Sequence, residues 1–128
     1  TIEDLKVISH HWGAYIPHAE GRMPLWEVRN ATLSKDGRSF ADTLKKPMLE
    51  YFKMFFADTA MFGAQAQSQA GLEFFGADQS FFATDCPYDL SGGEDNIRDT
   101  IGVIENLRCT DSDRKSIYED NTRELLKI

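Results

Sequence analysis

Residues 81–89, Phe-Phe-Ala-Thr-Asp-Cys-Pro-Tyr-Asp, constrain the fold of this chain more than any other segment. A short run of apolar and small residues ends in a carboxylate, then a proline, then a second carboxylate. Such a run is too short for a helix and reads as a buried parallel strand. Pro87 has no N–H to give a ladder and disfavours helical backbone at Cys86, so the strand is expected to stop there. Asp85 then lies at the carboxyl end of a buried strand, where parallel α/β folds present catalytic and metal-binding groups. The competing reading is that Asp85 only caps the following turn, since Asp is common in turns.

Two other segments have the same form. Leu5-Lys6-Val7-Ile8-Ser9 leads into His10-His11-Trp12-Gly13, and Tyr51 through Ala57 leads into Asp58. Imidazole serves as metal ligand, general base or general acid near neutral pH. The pattern predicts three adjacent parallel strands near residues 5–9, 52–57 and 80–84. Each finishes in an ionisable group, and the intervals between them are long enough for a helix. Parallel neighbours would bring those ends to a common site on one face of the sheet.

The remainder reads as scaffold. Leu25, Val28 and Leu33 are spaced as on a helix, Lys35-Asp36-Gly37-Arg38 signals a turn, and Pro47 suits a first helical residue before Tyr51. Met61 through Phe75 predicts a helix stopped by Gly76, and Ser91-Gly92-Gly93 predicts a mobile loop. Ile97, Ile101, Ile104 and Leu107 form one apolar helix face. Thr110 or Asp111 is expected to cap a last helix that buries Ile117, Leu125 and Leu126. Phe74, Phe75, Phe81 and Phe82 read as core.

Composition excludes several classes. Hydrophobic residues make up 41% and aromatic residues 12%, enough for a packed core. The net charge is −7, with Lys and Arg scattered, so the basic stripe that nucleic-acid binding needs is missing. No run of 18 apolar residues predicts a membrane span, and no signal peptide is visible. Cys86 and Cys109 have no metal or redox spacing and read as free thiols of a cytoplasmic protein.

Taken together, the motifs resemble the metal-dependent amidohydrolases related to aminocarboxymuconate-semialdehyde decarboxylase. His10-His11-Trp12-Gly13-Ala14, with Pro17 and Gly21-Arg22 following, is similar to their strand-six region. Phe55-Phe56-Ala57-Asp58-Thr59-Ala60 resembles strand seven. Phe75-Gly76-Ala77-Asp78, leading to Thr84-Asp85-Cys86-Pro87-Tyr88, resembles strand eight. Ile117-Tyr118-Glu119-Asp120-Asn121-Thr122-Arg123-Glu124-Leu125-Leu126 is similar to the closing helix. Thr84 stands where serine is also common, and Thr122 departs from the small residue usual after the Asn; neither touches the implied chemistry.

The resemblance implies an α/β fold, the carboxyl-terminal part of a (β/α)8 TIM barrel, with residues 1–128 forming a partial metal-dependent hydrolase or decarboxylase domain from strand six onward. It implies that Asp85 is a ligand of a divalent metal, commonly zinc, and that His10 lies beside the metal-bound water and takes part in proton transfer. A nearby imidazole suits that task, because a bound Zn²⁺ lowers the pKa of its water to about 7. His11 is the weaker candidate, because adjacent side chains on a strand point to opposite faces. If strand geometry has already broken at His10, the two exchange roles. Such barrels typically take about 250 residues. The family's His-x-His or Glu-x-His pair on the first strand and its strand-five His have no counterpart among His10, His11 and His18.

The implied activity is that of a carbon–carbon lyase, decarboxylating an unsaturated or aromatic acid, with hydrolysis or hydration as the runner-up. A non-catalytic α/β interaction module, or an inactive piece derived from such a barrel, is the alternative from another class. The implied substrate is a small carboxylic acid. Arg22 is a candidate to clamp its carboxylate or to pair with a helix acid, and His11 is a further substrate-binding candidate. Asp58 either bonds neighbouring backbone N–H groups or orients a catalytic group, the former being the commoner role of a strand-end Asp. His18 reads as a surface residue, and Cys86 as packing. The 128-residue chain alone is expected to bind zinc weakly, to lack turnover, and to associate with copies of itself or with the rest of the barrel.

Overall fold

The structure is a computed structural model that describes residues 5–26 and 40–128. Val28, Leu33 and the turn at Lys35-Asp36-Gly37-Arg38 lie outside the described residues. Three short strands, β1 (Ile8–Ser9), β2 (Phe56–Asp58) and β3 (Ser80–Phe81), pair in parallel in the order β1-β2-β3. Ile8 pairs with Phe56 and Ser9 with Ala57; Ala57 in turn pairs with Ser80, and Asp58 with Phe81. The predicted parallel sheet is therefore present, with shorter strands.

Each shortening has a local cause. Helix α1 (Met48–Phe52) starts directly after Pro47, which precedes the helix instead of occupying its first position. Backbone bonds from Lys53 to Leu49, Met54 to Tyr51 and Phe55 to Phe52 carry that turn as far as Phe55. Tyr51–Phe55 is thus helix and turn, not strand, because a short apolar run fits either state and its neighbours decide. Beyond β3 the ladder passes to a side chain. The Thr59 hydroxyl donates to the Ala83 carbonyl (2.9 Å) and accepts from the Ala83 N–H (3.0 Å). Residues 82–84 are held alongside β2 without strand geometry, and the strand ends well before Pro87.

Period-two alternation sorts the sheet residues by face. Ala57, wholly buried, faces the helices and packs in a core with Trp12, Leu72, Phe75, Val103, Ile104, Leu107 and Ile117. Phe56 and Asp58 face the other way, and the Phe56 ring meets Phe81 edge-on at 5.3 Å. Helix α2 (Gln65–Phe75) starts four residues later than the predicted Met61, because Phe62 and Gly63 have left-handed backbone (φ 51° and 80°). It ends at Gly76 (φ 85°), as predicted.

Helix α3 (Glu94–Glu105) buries Asn96, Thr100, Val103 and Ile104, with Leu107 beyond its end, while Ile97 and Ile101 are exposed. The face predicted from Ile97, Ile101, Ile104 and Leu107 is corrected accordingly. The buried stripe carries two polar residues, which an apolar count overlooks. Ser91-Gly92-Gly93, expected to be mobile, is tied down by Asp89. One carboxylate oxygen accepts from the Ser91 and Gly93 N–H groups (2.8 and 2.7 Å), the other from the Asn96 N–H (2.8 Å). Asp89 therefore caps α3 from outside the helix.

Thr110 caps α4 (Asp111–Lys115) in a reciprocal box with Asp113. The helix passes through a π segment (Ser116–Asp120) into α5 (Asn121–Leu126). The π segment sets the Ile117 carbonyl to accept the Phe82 N–H (2.9 Å), and the Asn121 amide donates to the Ala77 and Ser80 carbonyls (2.7 and 2.8 Å). These bonds cover the outer edge of β3, which would otherwise present unpaired backbone groups. Ile117 is buried as expected, Leu125 is half-buried and Leu126 is exposed. No helix among the described residues is long and apolar enough to cross a membrane.

Behind the sheet, Gly71 of α2 lies directly under Trp12: a Cβ on Gly71 would sit 2.4 Å from Trp12 Cγ. Gly71→Ala, which helix propensity alone would favour by about 1 kcal/mol, is expected to destabilise the protein by about 1–3 kcal/mol through overpacking, read as a lowered denaturation midpoint. Asp89, whose carboxyl is held below the ordinary carboxylate range by backbone N–H donors, first Asn96 and then Gly93, stabilises the fold above about pH 4. That contribution is lost as pH falls through its lowered folded value. Asp89→Ala is expected to melt earlier than wild type at pH 7, with the gap closing in acid; a pH-independent gap would rule out the ionised cap.

Candidate functional site

The strand ends converge because β1 stops abruptly. Four consecutive residues, His11 to Ala14, have positive φ (53°, 47°, 74° and 48°). Only one is glycine, and left-handed backbone costs a non-glycine residue roughly 1–2 kcal/mol. Burial of Trp12 offsets this. The residue is 1% exposed, sits on Gly71, and donates its Nε1–H to Ser80 Oγ at 3.0 Å. Gly13 is held by closeness as well as by φ, since a Cβ there would lie 2.6 Å from the Phe75 ring.

The turn brings His10 and His11 to the same side of the sheet end. Their rings lie 3.8 Å apart between centroids, tilted by 30°. The strand-alternation expectation that His11 faces away is corrected: regular strand geometry ends at Ser9, before the rule can apply. His10, His11 and Asp85 each offer a ligand-type atom, and these atoms lie within 4.8 Å of one another. Asp85 itself has a left-handed backbone (φ 61°).

Asp58, at the end of β2, organises the group. Its Oδ1 accepts the His11 N–H (2.8 Å) and the Ala60 N–H (3.2 Å). Its Oδ2 accepts from His10 Nδ1. Asp58 thus bonds backbone N–H groups through one oxygen, as expected of a strand-end Asp, and meets the His10 ring through the other. On the far side of the ring, His10 Nε2 is 3.3 Å from Asp85 Oδ1. His11 Nδ1 donates to the Ala60 carbonyl at 2.5 Å, since a carbonyl can only accept. In both rings Nδ1 is engaged; Nε2 of His10 lies beside Asp85 Oδ1, and Nε2 of His11 is the nitrogen left for a ligand or substrate.

The hydrogen bond to Asp58, with the charges of Asp58 and Asp85 added, raises the His10 pKa above the ordinary imidazole value against a smaller opposing effect of burial. The His10 side chain is 54% exposed, whereas Asp58 and Asp85 are 11% and 19% exposed. The imidazole is thus open to solvent, between two largely covered acids.

Other predicted residues fall outside this cluster. Arg22 ends a 3-10 segment (Pro17–Arg22), is exposed, and forms no ion pair with a helix acid among the described residues. His18 is exposed beside Tyr15, as expected. Cys86 is an exposed free thiol that packs on Gly93. Sequence reasoning missed Thr59, whose hydroxyl positions the approach to Asp85, and Phe62, whose ring lies 5.2 Å from His11. The Phe62-Gly63 pair following an acid-ended strand was the one signal for a sharp turn there.

These donor types, imidazole nitrogen and carboxylate oxygen, suit zinc or manganese. Engaged Nδ1 atoms are the usual companions of Nε2 ligation.

Solved structures share this arrangement of strands. A dihydroxybenzoic acid decarboxylase from Polaromonas sp. JS666, with bound manganese and the inhibitor 2-nitroresorcinol, is 27% identical with a TM-score of 0.70, over 96% of this chain and 34% of that one. A 2,6-dihydroxybenzoate decarboxylase complexed with 2,6-dihydroxybenzoate is 26% identical with a TM-score of 0.70, over 97% and 35%. A 5-carboxyvanillate decarboxylase from Sphingomonas paucimobilis, 21% identical, has the same fold with a TM-score of 0.75, over 97% and 34%. The chain spans about a third of the length of these proteins. Its three parallel strands and flanking helices form part of a (β/α)8 barrel. None of the curated proteins matches the chain. The Amidohydrolase family model matches residues 2–128, through every element described above, and the chain belongs to that family.

Proposed function

We infer that this chain carries part of the active site of a metal-dependent decarboxylase acting on a small aromatic or unsaturated carboxylic acid. The observation that carries the reading is the placement of His10 between Asp58 and Asp85, at the carboxyl end of a parallel sheet. The decarboxylases of similar structure, one of them holding manganese, support the reaction class. Asp85 is the metal-holding residue of this reading, with a His11 ring nitrogen among the candidate ligand atoms lying within 4.8 Å of one another. Zinc and manganese both suit these donors. Bound there, a divalent cation supplies Lewis acidity, drawing negative charge from a carboxylate or carbonyl oxygen.

The chain's own residues account for the proton. Decarboxylation breaks the bond between the carboxylate carbon and the rest of the acid, and that carbon leaves as CO2. The electron pair left behind takes up a proton. His10, with its pKa raised, is charged through a wider pH range than a free imidazole, and its side chain is half exposed, with Nε2 beside Asp85. Asp58 keeps the ring oriented during the transfer. Arg22, exposed and without an ion-pair partner among the described residues, is available to hold a second carboxylate, and His11 to hydrogen-bond the substrate. Hydrolysis or hydration would use the same groups with His10 as base. The free thiols of Cys86 and Cys109 fit a cytoplasmic setting.

The test is made on the full-length protein. Asp85→Asn preserves size but removes the anionic donor, so metal content by elemental analysis is expected to fall sharply. His10→Ala is expected to retain metal while turnover drops by about 10²–10⁴-fold, the range for a lost general acid–base group. Full metal retention in Asp85→Asn would remove it as a ligand, and metal loss in His10→Ala would make His10 a ligand instead of the proton carrier.

A further inference from the structure

We propose that Thr59 is a positioning residue for the metal site: its hydroxyl stands in for two rungs of the β2–β3 ladder and so places Asp85 where a cation can be held. The proposal rests on the reading of Asp85 as a metal-holding residue, and the experiment below separates failure of the one from failure of the other.

The register of the sheet shows what the hydroxyl replaces. Ala57 pairs with Ser80 and Asp58 with Phe81, and the Thr59 N–H donates to the Phe81 carbonyl at 3.0 Å. In a parallel ladder every second residue turns its N–H and C=O to the same neighbour, so the next residue due to bond β2 is Ala83. Continued regularly, the Ala83 N–H would meet the Thr59 carbonyl, and the Ala83 carbonyl would meet the Met61 N–H. Both groups go instead to one side chain. Thr59 Oγ1 accepts the Ala83 N–H (3.0 Å) and donates to the Ala83 carbonyl (2.9 Å). A hydroxyl can serve both because it carries a proton and free lone pairs.

This substitution frees the backbone of β2 where the site needs it. The chain turns at Ala60, whose N–H donates to Asp58 Oδ1 (3.2 Å) and whose carbonyl accepts from His11 Nδ1 (2.5 Å). The Met61 carbonyl then accepts the Ala64 N–H (3.0 Å). A backbone rung to Met61 would pull that turn straight. Thr59 is 1% exposed, so water is a poor substitute for its hydroxyl. Two residues beyond Ala83, Asp85 has left-handed backbone (φ 61°). Its carbonyl is held from the other side by the Tyr88 N–H (2.9 Å) and the Asn96 amide (3.4 Å). Asp85 therefore lies between two fixed points. Thr59 is the one that ties it to the strand carrying Asp58, and through Asp58 to His10.

Thr59→Val keeps the side-chain shape but leaves both Ala83 groups without their partner, whereas Thr59→Ser keeps the hydroxyl. The full-length protein, stripped of metal by a chelator and verified as folded by circular dichroism, is titrated with manganese alone. Thr59→Val is expected to bind manganese about 10–100-fold more weakly than wild type, the range for losing a group that orients a metal ligand, and Thr59→Ser to bind as wild type does. Val103→Ala, which loosens the core, is expected to keep wild-type affinity and so separates placement of Asp85 from loss of stability. Amide exchange at Ala83 is expected to be slow in wild type and Thr59→Ser and fast in Thr59→Val, with or without manganese. Wild-type affinity in Thr59→Val overturns the proposal, as does weak binding in Thr59→Ser or an equal loss in Val103→Ala. Fast exchange at Ala83 in wild type overturns it even if Thr59→Val fails to fold. If Asp85→Asn binds manganese as tightly as wild type, the reading of Asp85 falls and takes this proposal with it. If Asp85→Asn binds weakly while Thr59→Val binds tightly, only the role of Thr59 fails.

Discussion

Burial of Trp12 against Gly71 holds the functional end of this structure together. The contact fixes a turn of four residues in left-handed backbone, three of which have a side chain to clash. A solvated turn of that kind would relax. Here the indole fills a space between α2 and the sheet that no smaller side chain would fill, and its N–H is satisfied by Ser80. The helix face opposite the tryptophan must be bare for the ring to approach. Both histidines reach the same side of the sheet because the turn cannot open.

The second layer of organisation is polar and sits where the strands give out. Asp58 joins the end of β1 to the end of β2, and the Thr59 hydroxyl joins the end of β2 to the segment that carries Asp85. Adjacent residues at the end of β2 therefore secure its two neighbours, one through a carboxylate and one through a hydroxyl. Backbone pairing alone covers only two or three residues in each strand. Side chains replace the missing ladder at the point where functional groups need backbone freedom. Asp85 and His11 gain left-handed conformations there that a regular ladder would forbid.

The edge of β3 is closed by similar means. A π segment in the last helical run and the Asn121 amide supply the partners that a further strand would have given. The edge of β1 has no such cover among the described residues, and Leu5, Val7 and Ile8 are exposed along it. Such an edge matches a chain spanning about a third of the barrel proteins it resembles.

Much of this was legible in the residues. Apolar runs ending in His10, Asp58 and Asp85 specified three parallel strands whose ends meet, because an ionisable group interrupting a buried run can only lie at its mouth. Gly76 and Thr110 marked helix ends by local backbone chemistry that needs no tertiary context. Other features depended on contacts between residues distant in sequence. Strand alternation placed His11 on the wrong face, since it assumes extended backbone and the Trp12 turn, fixed by an α2 residue about 60 positions away, had already ended it. An apolar count placed Ile97 and Ile101 inside, whereas α3 buries Asn96 and Thr100. Tyr51–Phe55 suited helix or strand equally until Pro47 began a turn before it. The sequence by itself determined which groups are available and which segments end in them. Only the tertiary structure decided their orientation, because a side chain's direction follows from backbone angles that long-range packing imposes.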